Sequence, residues 1–413
     1  MNSGEPSTPG HALKLKPGDR LRIELSNELE YPTASVADWD GADAAIMTYA
    51  GSCEPYGSPN ATALHLHGMH VSMTGLGDAV MRTAAVGEKL IFDLEIDEDH
   101  PTGTFWYHPH HAESQSLQAA GLMGGAIIVA DDFKGLPTGS RFEDLISTID
   151  DKVMLLQWLS YSKSFGNYDF LNSCARSEMP AEATLFRDGE DRLSDDLLLV
   201  NGQFVPTVAM TVGVPQRWRL INGATHKFVA LRMPSDRCSW YAIANDGVYL
   251  DAPREATEPT SVSSSGTPSD DSDDSTSYNF AFLSLGSRTD LIVTCYKAGS
   301  YKVQSEIPDY LEAEDGYNWY GEDPGIWGGT VFAVEVTEEA GGESTATGEG
   351  VSMAATSGNK AMWTKDEISK LQLPKTGYYG MNLLEEENPM PYTATMSENQ
   401  NIVSKELGLA RKL

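Results

Sequence analysis

Apolar and polar residues alternate one by one along HALKLKPGDRLRIELSN, on both sides of a Pro-Gly-Asp turn, and again along KLIFDLEID. A period of two puts every second side chain on one face of an extended chain, so these segments predict half-buried β-strands. GGAIIVAD is a short continuous apolar run of the kind that fills the interior of a sandwich. The segment from Glu113 to Leu122 is the one place in this region where a short helix is expected. Residues 11–132 therefore read as one antiparallel β-sandwich.

After a polar connection at 133–150, strand signals resume at KVMLLQWLSY. Asn201-Gly202 between the apolar runs of LLLVNGQFVPTVAM predicts a two-residue hairpin. QRWRLINGATHKFVALRM, YNFAFLSLGSRTDLIVTCY, SYKVQSE and GGTVFAVEV continue the pattern to residue 337. A second sandwich at 151–337 follows, with a Ser/Asp/Pro-rich insertion at about 252–278 that is too polar to bury a core. The remainder, 338–413, opens with the linker EEAGGESTATGEG and holds one candidate short helix in KDEISKLQL. The fold class expected is all-β, two sandwich domains followed by a mostly irregular C-terminal tail. No 20- to 50-residue repeat is present.

With 413 residues, 29 basic against 60 acidic side chains give a net charge of −31. Such a field repels nucleic acid and anionic lipid, which removes both as expected partners. No run approaches the roughly eighteen apolar residues of a membrane span, and the N-terminal stretch MNSGEPSTPGHALKLKPGD lacks the apolar core of a secretory signal. Four cysteines, Cys53, Cys174, Cys238 and Cys295, lie far apart and form no Cys-x-x-Cys pair. Their redox state is not legible from spacing.

The chain has nine histidines, and three of them fall within WYHPHH. His108 and His110 are two apart, as are His65 and His67 in TALHLHGMH. On strands each pair shares a face, and two adjacent strands of this kind aim four imidazoles at one point. That arrangement predicts a transition-metal site built from His65, His67, His108 and His110, with zinc and copper both open on spacing alone. His70 and His111 break the register and read as supporting residues. His11 and His226 read as ordinary polar residues, and His100 as the brace of a turn.

TALHLHGMHVSMTGLGDAV followed by HPTGTFWYHPHHAESQSLQAAGLMGGAIIVAD resembles the first two copper-binding motifs of the multicopper oxidases, laccase-like and of three-domain type. LLLVNGQFVPT, QRWRLINGA and LGSRTDLIVTCYKAGSYKV resemble the middle cupredoxin domain of that family. The resemblance implies two cupredoxin-like Greek-key domains with copper as cofactor. It also implies one-electron oxidation of a reducing substrate at a type 1 copper, coupled to reduction of dioxygen to water at a three-copper cluster. By that correspondence His65 holds the type 2 copper, and His67, His108 and His110 are ligands of the type 3 pair. An extracellular or periplasmic location is also implied, although no signal peptide is present.

The correspondence stops there. The family builds its cluster from eight histidines, of which four have counterparts, and no histidine follows His226. Neither Cys238 in DRCSWY nor Cys295 in VTCYKAG has the flanking histidines of a type 1 copper. The sequence thus predicts half of a trinuclear site, no type 1 copper, a truncated form and little turnover by this chain alone. The competing readings are a non-catalytic copper-binding protein and a pseudoenzyme scaffold.

Overall fold

In the computed structural model the described residues are 7–29, 60–112, 114–160, 196–225, 227–258, 277–306, 326–338 and 363–375. The first strand-rich region contains β1 (Leu13–Leu15), β2 (Arg20–Ser26), β3 (Leu64–His67), β4 (Lys89–Glu95), β5 (Gly103–Pro109) and β6 (Gly125–Val129), with helix α1 (Gln115–Ala120) before β6. One sheet has the order β1-β6-β5-β3, and β2 pairs with β4 in a second. The Pro-Gly-Asp turn therefore carries the chain from one sheet to the other. The alternation read from KLIFDLE holds: Leu90, Phe92 and Leu94 are buried between exposed or half-buried neighbours. They pack with Leu66, Phe105, Ile127 and Val129 in one core. The first sheet is mixed rather than purely antiparallel, because β1 runs parallel to β6.

The segment expected to be a polar connection instead contains helix α2 (Arg141–Thr148). Ser140 caps it by accepting the Glu143 N–H, and Phe142 and Leu145 are buried.

Twelve further strands follow: β7 (Asp150–Ser160), β8 (Asp196–Val200), β9 (Gln203–Phe204), β10 (Thr207–Thr211), β11 (Gln216–Asn222), β12 (Val229–Pro234), β13 (Cys238–Asn245), β14 (Val248–Glu255), β15 (Tyr278–Leu283), β16 (Arg288–Cys295), β17 (Gly299–Ser305) and β18 (Gly329–Thr337). They form a seven-stranded sheet, β14-β13-β16-β11-β7-β8-β9, facing a five-stranded one, β10-β18-β17-β12-β15. Trp218, Trp240, Leu231, Leu291 and Phe332 lie in the core between them. Asn201 and Gly202, both at positive φ, join β8 to β9 as the hairpin signal predicts. β14 extends to Glu255, into the predicted insertion, while 259–276 lie outside the described residues. The tail helix α3 (Lys365–Ser369) forms with a capping box at Thr364 and Glu367. Trp363, Ile368, Leu371 and Leu373 bury against Phe142, Tyr249 and Ile292.

β11 shows why the two regions are held together. Trp218 and Leu220 point into the second core. Arg217, Arg219 and Ile221 occupy the opposite face, and all three are buried. Ile221 meets Trp106 and Ala126 of the first region. Arg217 donates to Asp290 at 2.6 Å and to Asp131 at 2.8 Å, and Arg219 donates to Asp151 at 2.8 Å and to the Thr104 hydroxyl at 3.1 Å. The Thr104 hydroxyl in turn donates to Asp290 at 2.7 Å. Tyr249 donates its hydroxyl to Asp131. Burial opposes ionisation of Asp131, yet the two guanidiniums and the Tyr249 hydroxyl hold its carboxyl below the usual range.

Candidate metal centre

β3 and β5 are antiparallel neighbours, with Leu64 opposite Pro109, His65 opposite His108 and His67 opposite Trp106. Leu64 and Leu66 face the first core, which sends His65 and His67 to the other side of the sheet. On β5 the same face carries Thr104, Trp106 and His108 in succession. Thr104 joins the buried charge network, Trp106 packs on Leu155 and Ile221, and His108 reaches the histidines. His110 lies just past the strand end, where its N–H is bonded to the Ala63 carbonyl.

The rings converge. Centroids of His65 lie 5.6 Å from His67, 5.3 Å from His108 and 5.0 Å from His110. His67 and His108 are 5.3 Å apart, and His108 and His110 are 5.8 Å apart. The ligating nitrogens of His65, His67 and His108 fall within 4.8 Å of one another; His110 is not one of this group, although its ring centroid is 5.0 Å from that of His65. His67 Nδ1 is 3.1 Å from His108 Nε2. Two imidazoles bound to one ion at about 2 Å and a tetrahedral angle place their nitrogens about 3.3 Å apart, so this pair is spaced for a shared metal.

The partners of the far nitrogens fit the same purpose. His65 Nδ1–H donates to Asp78 at 2.8 Å, and His108 Nδ1–H donates to the Pro109 carbonyl at 2.9 Å. In both rings this leaves Nε2 as the lone-pair nitrogen, the arrangement typical of metal-ligating histidines. Asp78 is buried and also accepts the Leu66 N–H. Trp106 stacks on His67 at 5.2 Å and lies tilted against His108 at 4.3 Å, which closes the inner side of the cluster.

The remaining histidines are elsewhere. His111 turns toward Ser114 at 3.2 Å, and His100 is buried, accepting the His70 N–H at 3.0 Å. His226 lies outside the described residues. Cys238 and Cys295 are paired across β13 and β16 as a disulfide, so neither is available as a thiolate ligand. Cys53 and Cys174 lie outside the described residues. Sequence reasoning missed Asp78, which sits in a loop without periodicity. It also missed Trp106, although that residue continues the i, i+2, i+4 face of His108 and His110.

Burial, then the nearby Arg288 guanidinium and the other imidazoles, pushes His67 down to about 3. Burial pushes His108 down to about 4 against the opposing bond to the Pro109 carbonyl. Both rings therefore stay neutral, the form that binds metal. Histidines of an unfolded chain take up protons near pH 6.5. Between about pH 6.5 and 4 the unfolded state thus binds protons that the folded state does not, and the metal-free protein loses stability as pH falls through that window. Denaturant midpoints at about pH 7.5, 6 and 4.5 should fall more steeply in the natural sequence than in a His67→Ala/His108→Ala variant. Equal slopes would mean that the two rings titrate freely.

Residues 57–132 match a family model described as multicopper oxidase. A curated relative, the multicopper oxidase mco of Staphylococcus aureus, is 24% identical over 252 residues, covering 60% of this chain and 43% of the relative. Laccase-4 of Thanatephorus cucumeris is 29% identical over 153 residues, 36% of this chain and 23% of that protein. The chain spans less than half the length of these curated relatives. Among solved structures, a multi-copper oxidase from Pseudomonas thermotolerans is similar with 20% identity and a TM-score of 0.47, over 82% of this chain and 59% of that one. The matched segment is the one that carries both His-x-His strands, and over it the chain is similar to the multicopper oxidases, a family whose cofactor is copper.

Proposed function

We propose that this chain contributes half of the trinuclear copper site of a multicopper oxidase, with His65 on the type 2 copper and His67, His108 and His110 on the type 3 pair. The observation that carries the reading is the 3.1 Å approach of His67 Nδ1 to His108 Nε2 within a ring of four imidazoles. Copper bound at such a site supplies reduction of dioxygen to water with electrons drawn singly from a reducing substrate. Asp78 and the Pro109 carbonyl fix which nitrogen His65 and His108 present, and the Trp106 indole covers the inner side of the site. In this reading the first cupredoxin-like domain is 11–132, the second is 151–337, and 338–413 is linker and tail. Their separate cores support the division. Among the described residues no helix is long and apolar enough to cross a membrane.

Four imidazoles shared among three coppers leave each ion short of ligands, and the electron-entry thiolate is absent from the described residues. The oxidase reaction therefore belongs to an assembly in which other segments supply the remaining histidines and the thiolate. The purified 413-residue chain is expected to retain copper by elemental analysis and to consume almost no dioxygen with a phenol or a ferrous salt. Absence of copper would remove the half-site. Rapid oxygen uptake would show that this chain already holds a complete centre.

A further inference from the structure

His67 of β3 is met by a turn of the second region, nearly 220 residues further along the chain. Between β15 and β16 the Ser284–Ser287 turn lies against the edge of the His67 ring. A Cβ on Gly286 would fall 2.8 Å from His67 Cε1, closer than real Cβ atoms approach, and 3.3 Å from its Nε2, which is tight. The turn is held where it is. The Gly286 N–H donates to the Asn222 carbonyl at 2.9 Å, and the Asn222 N–H donates back to Ser287 at 3.0 Å. The Gly286 carbonyl accepts from Arg288 Nη1 at 3.1 Å.

Arg288 extends this clamp into the first region. Its Nε donates to the Thr104 carbonyl at 3.2 Å, on the strand that carries His108. Its Nη2 donates to the Asp246 carbonyl at 2.9 Å, and its side chain is almost fully buried. On its other face His67 is stacked on Trp106. The ring is thus bounded by an indole behind and by bare glycine backbone at its edge.

We propose that Gly286 is a positioning residue for the metal centre: the Ser284–Ser287 turn is a stop that sets where His67 presents Nδ1 to the ion it shares with His108. The inference rests on the copper reading above. It explains why the second region, which supplies no ligand in that reading, packs on the edge of the site.

Gly247 provides an internal control. It too has positive φ, +81° against +75° for Gly286, and it too meets an aromatic ring of the first region. Its added Cβ, however, would land 2.7 Å from Phe105, which is not a ligand. The cost of placing alanine in the left-handed region is shared by both sites, so a difference between them reports on His67. In competition titrations of the full chain with Cu(II), Gly286→Ala should weaken binding roughly tenfold or more while Gly247→Ala stays within about twofold. In the metal-free proteins, the His67 ring resonances, shifted by the Trp106 indole, should move in Gly286→Ala and hold in Gly247→Ala.

Equal weakening by both substitutions, or by neither, would overturn the inference. If the natural chain takes up no copper, the proposed function falls, and the metal-free His67 resonances alone decide whether the turn positions the ring. If Gly286→Ala does not fold, Arg288→Lys replaces it. Lysine keeps the charge but cannot bond Thr104, Gly286 and Asp246 together. It should weaken copper and shift His67 in the same sense, and an unchanged affinity with unmoved resonances would overturn the inference.

Discussion

Asp290→Ala is expected to destabilise the folded chain by about 3–5 kcal/mol, the usual cost of stranding a buried charge by deleting its partner. The Asp290 carboxylate accepts from the Thr104 hydroxyl and from both Arg217 and Arg219, and its side chain is 2% exposed. Removing it leaves two buried guanidiniums with Asp131 and Asp151 as the remaining anions. Asp131 then has to serve both arginines, at 2.8 Å from Arg217 and 3.5 Å from Arg219, while Asp151, the other anion, is partly exposed. Asp290→Asn keeps the shape and an acceptor and should cost less. Urea unfolding would show a lower midpoint at unchanged slope. A loss below about 1 kcal/mol would mean that water enters and hydrates the arginines, which would make the junction between the regions looser than the packing implies.

The same carboxylate connects stability to the metal centre. Thr104 is four residues before His108 on the same face of β5, and it bonds to both Arg219 and Asp290. One end of β5 is therefore latched to β11 and β16, while its other end carries His108 and leads to His110. The polar junction and the histidine cluster are two ends of a single strand face, with Trp106 between them.

This strand face explains what could be read from the sequence and what could not. His65, His67, His108 and His110 were legible because their spacing is local and a strand converts a period of two into a shared face. The Asn201-Gly202 hairpin was legible for a similar reason, since two residues determine the turn. Helix α2 was missed although Ser140 and Glu143 stand at capping-box spacing, because eight residues give too short a periodic signal to outweigh a polar composition. Arg217 and Arg219 in QRWRLIN look like the solvent face of a half-buried strand. Only the packing of the first region on that face buries them. Asp290 meets Thr104 across 186 residues of sequence and Arg288 meets it across 184, distances at which no local pattern carries information.

Replacing His108 should have the largest effect on copper, on the order of a hundredfold loss of affinity or more. Its ring lies within 5.3 Å of both His65 and His67 and 5.8 Å of His110, so it borders all three other candidate ligands. His108→Ala removes the nitrogen facing His67 Nδ1 and leaves no other imidazole in position to close that pair. Three residues later, His111 carries the same side chain in the same HPHH run, but its Nδ1 is 3.2 Å from Ser114 at the start of α1. His111→Ala should therefore leave copper affinity within about twofold and lower thermal stability only slightly. The pair separates a site defined by strand geometry from one defined by local histidine density. A polyhistidine cluster that captures metal opportunistically would lose similar affinity from either substitution, whereas a site built on the face of β5 distinguishes His108 from His111 because one ring points along that face and the other points away from it.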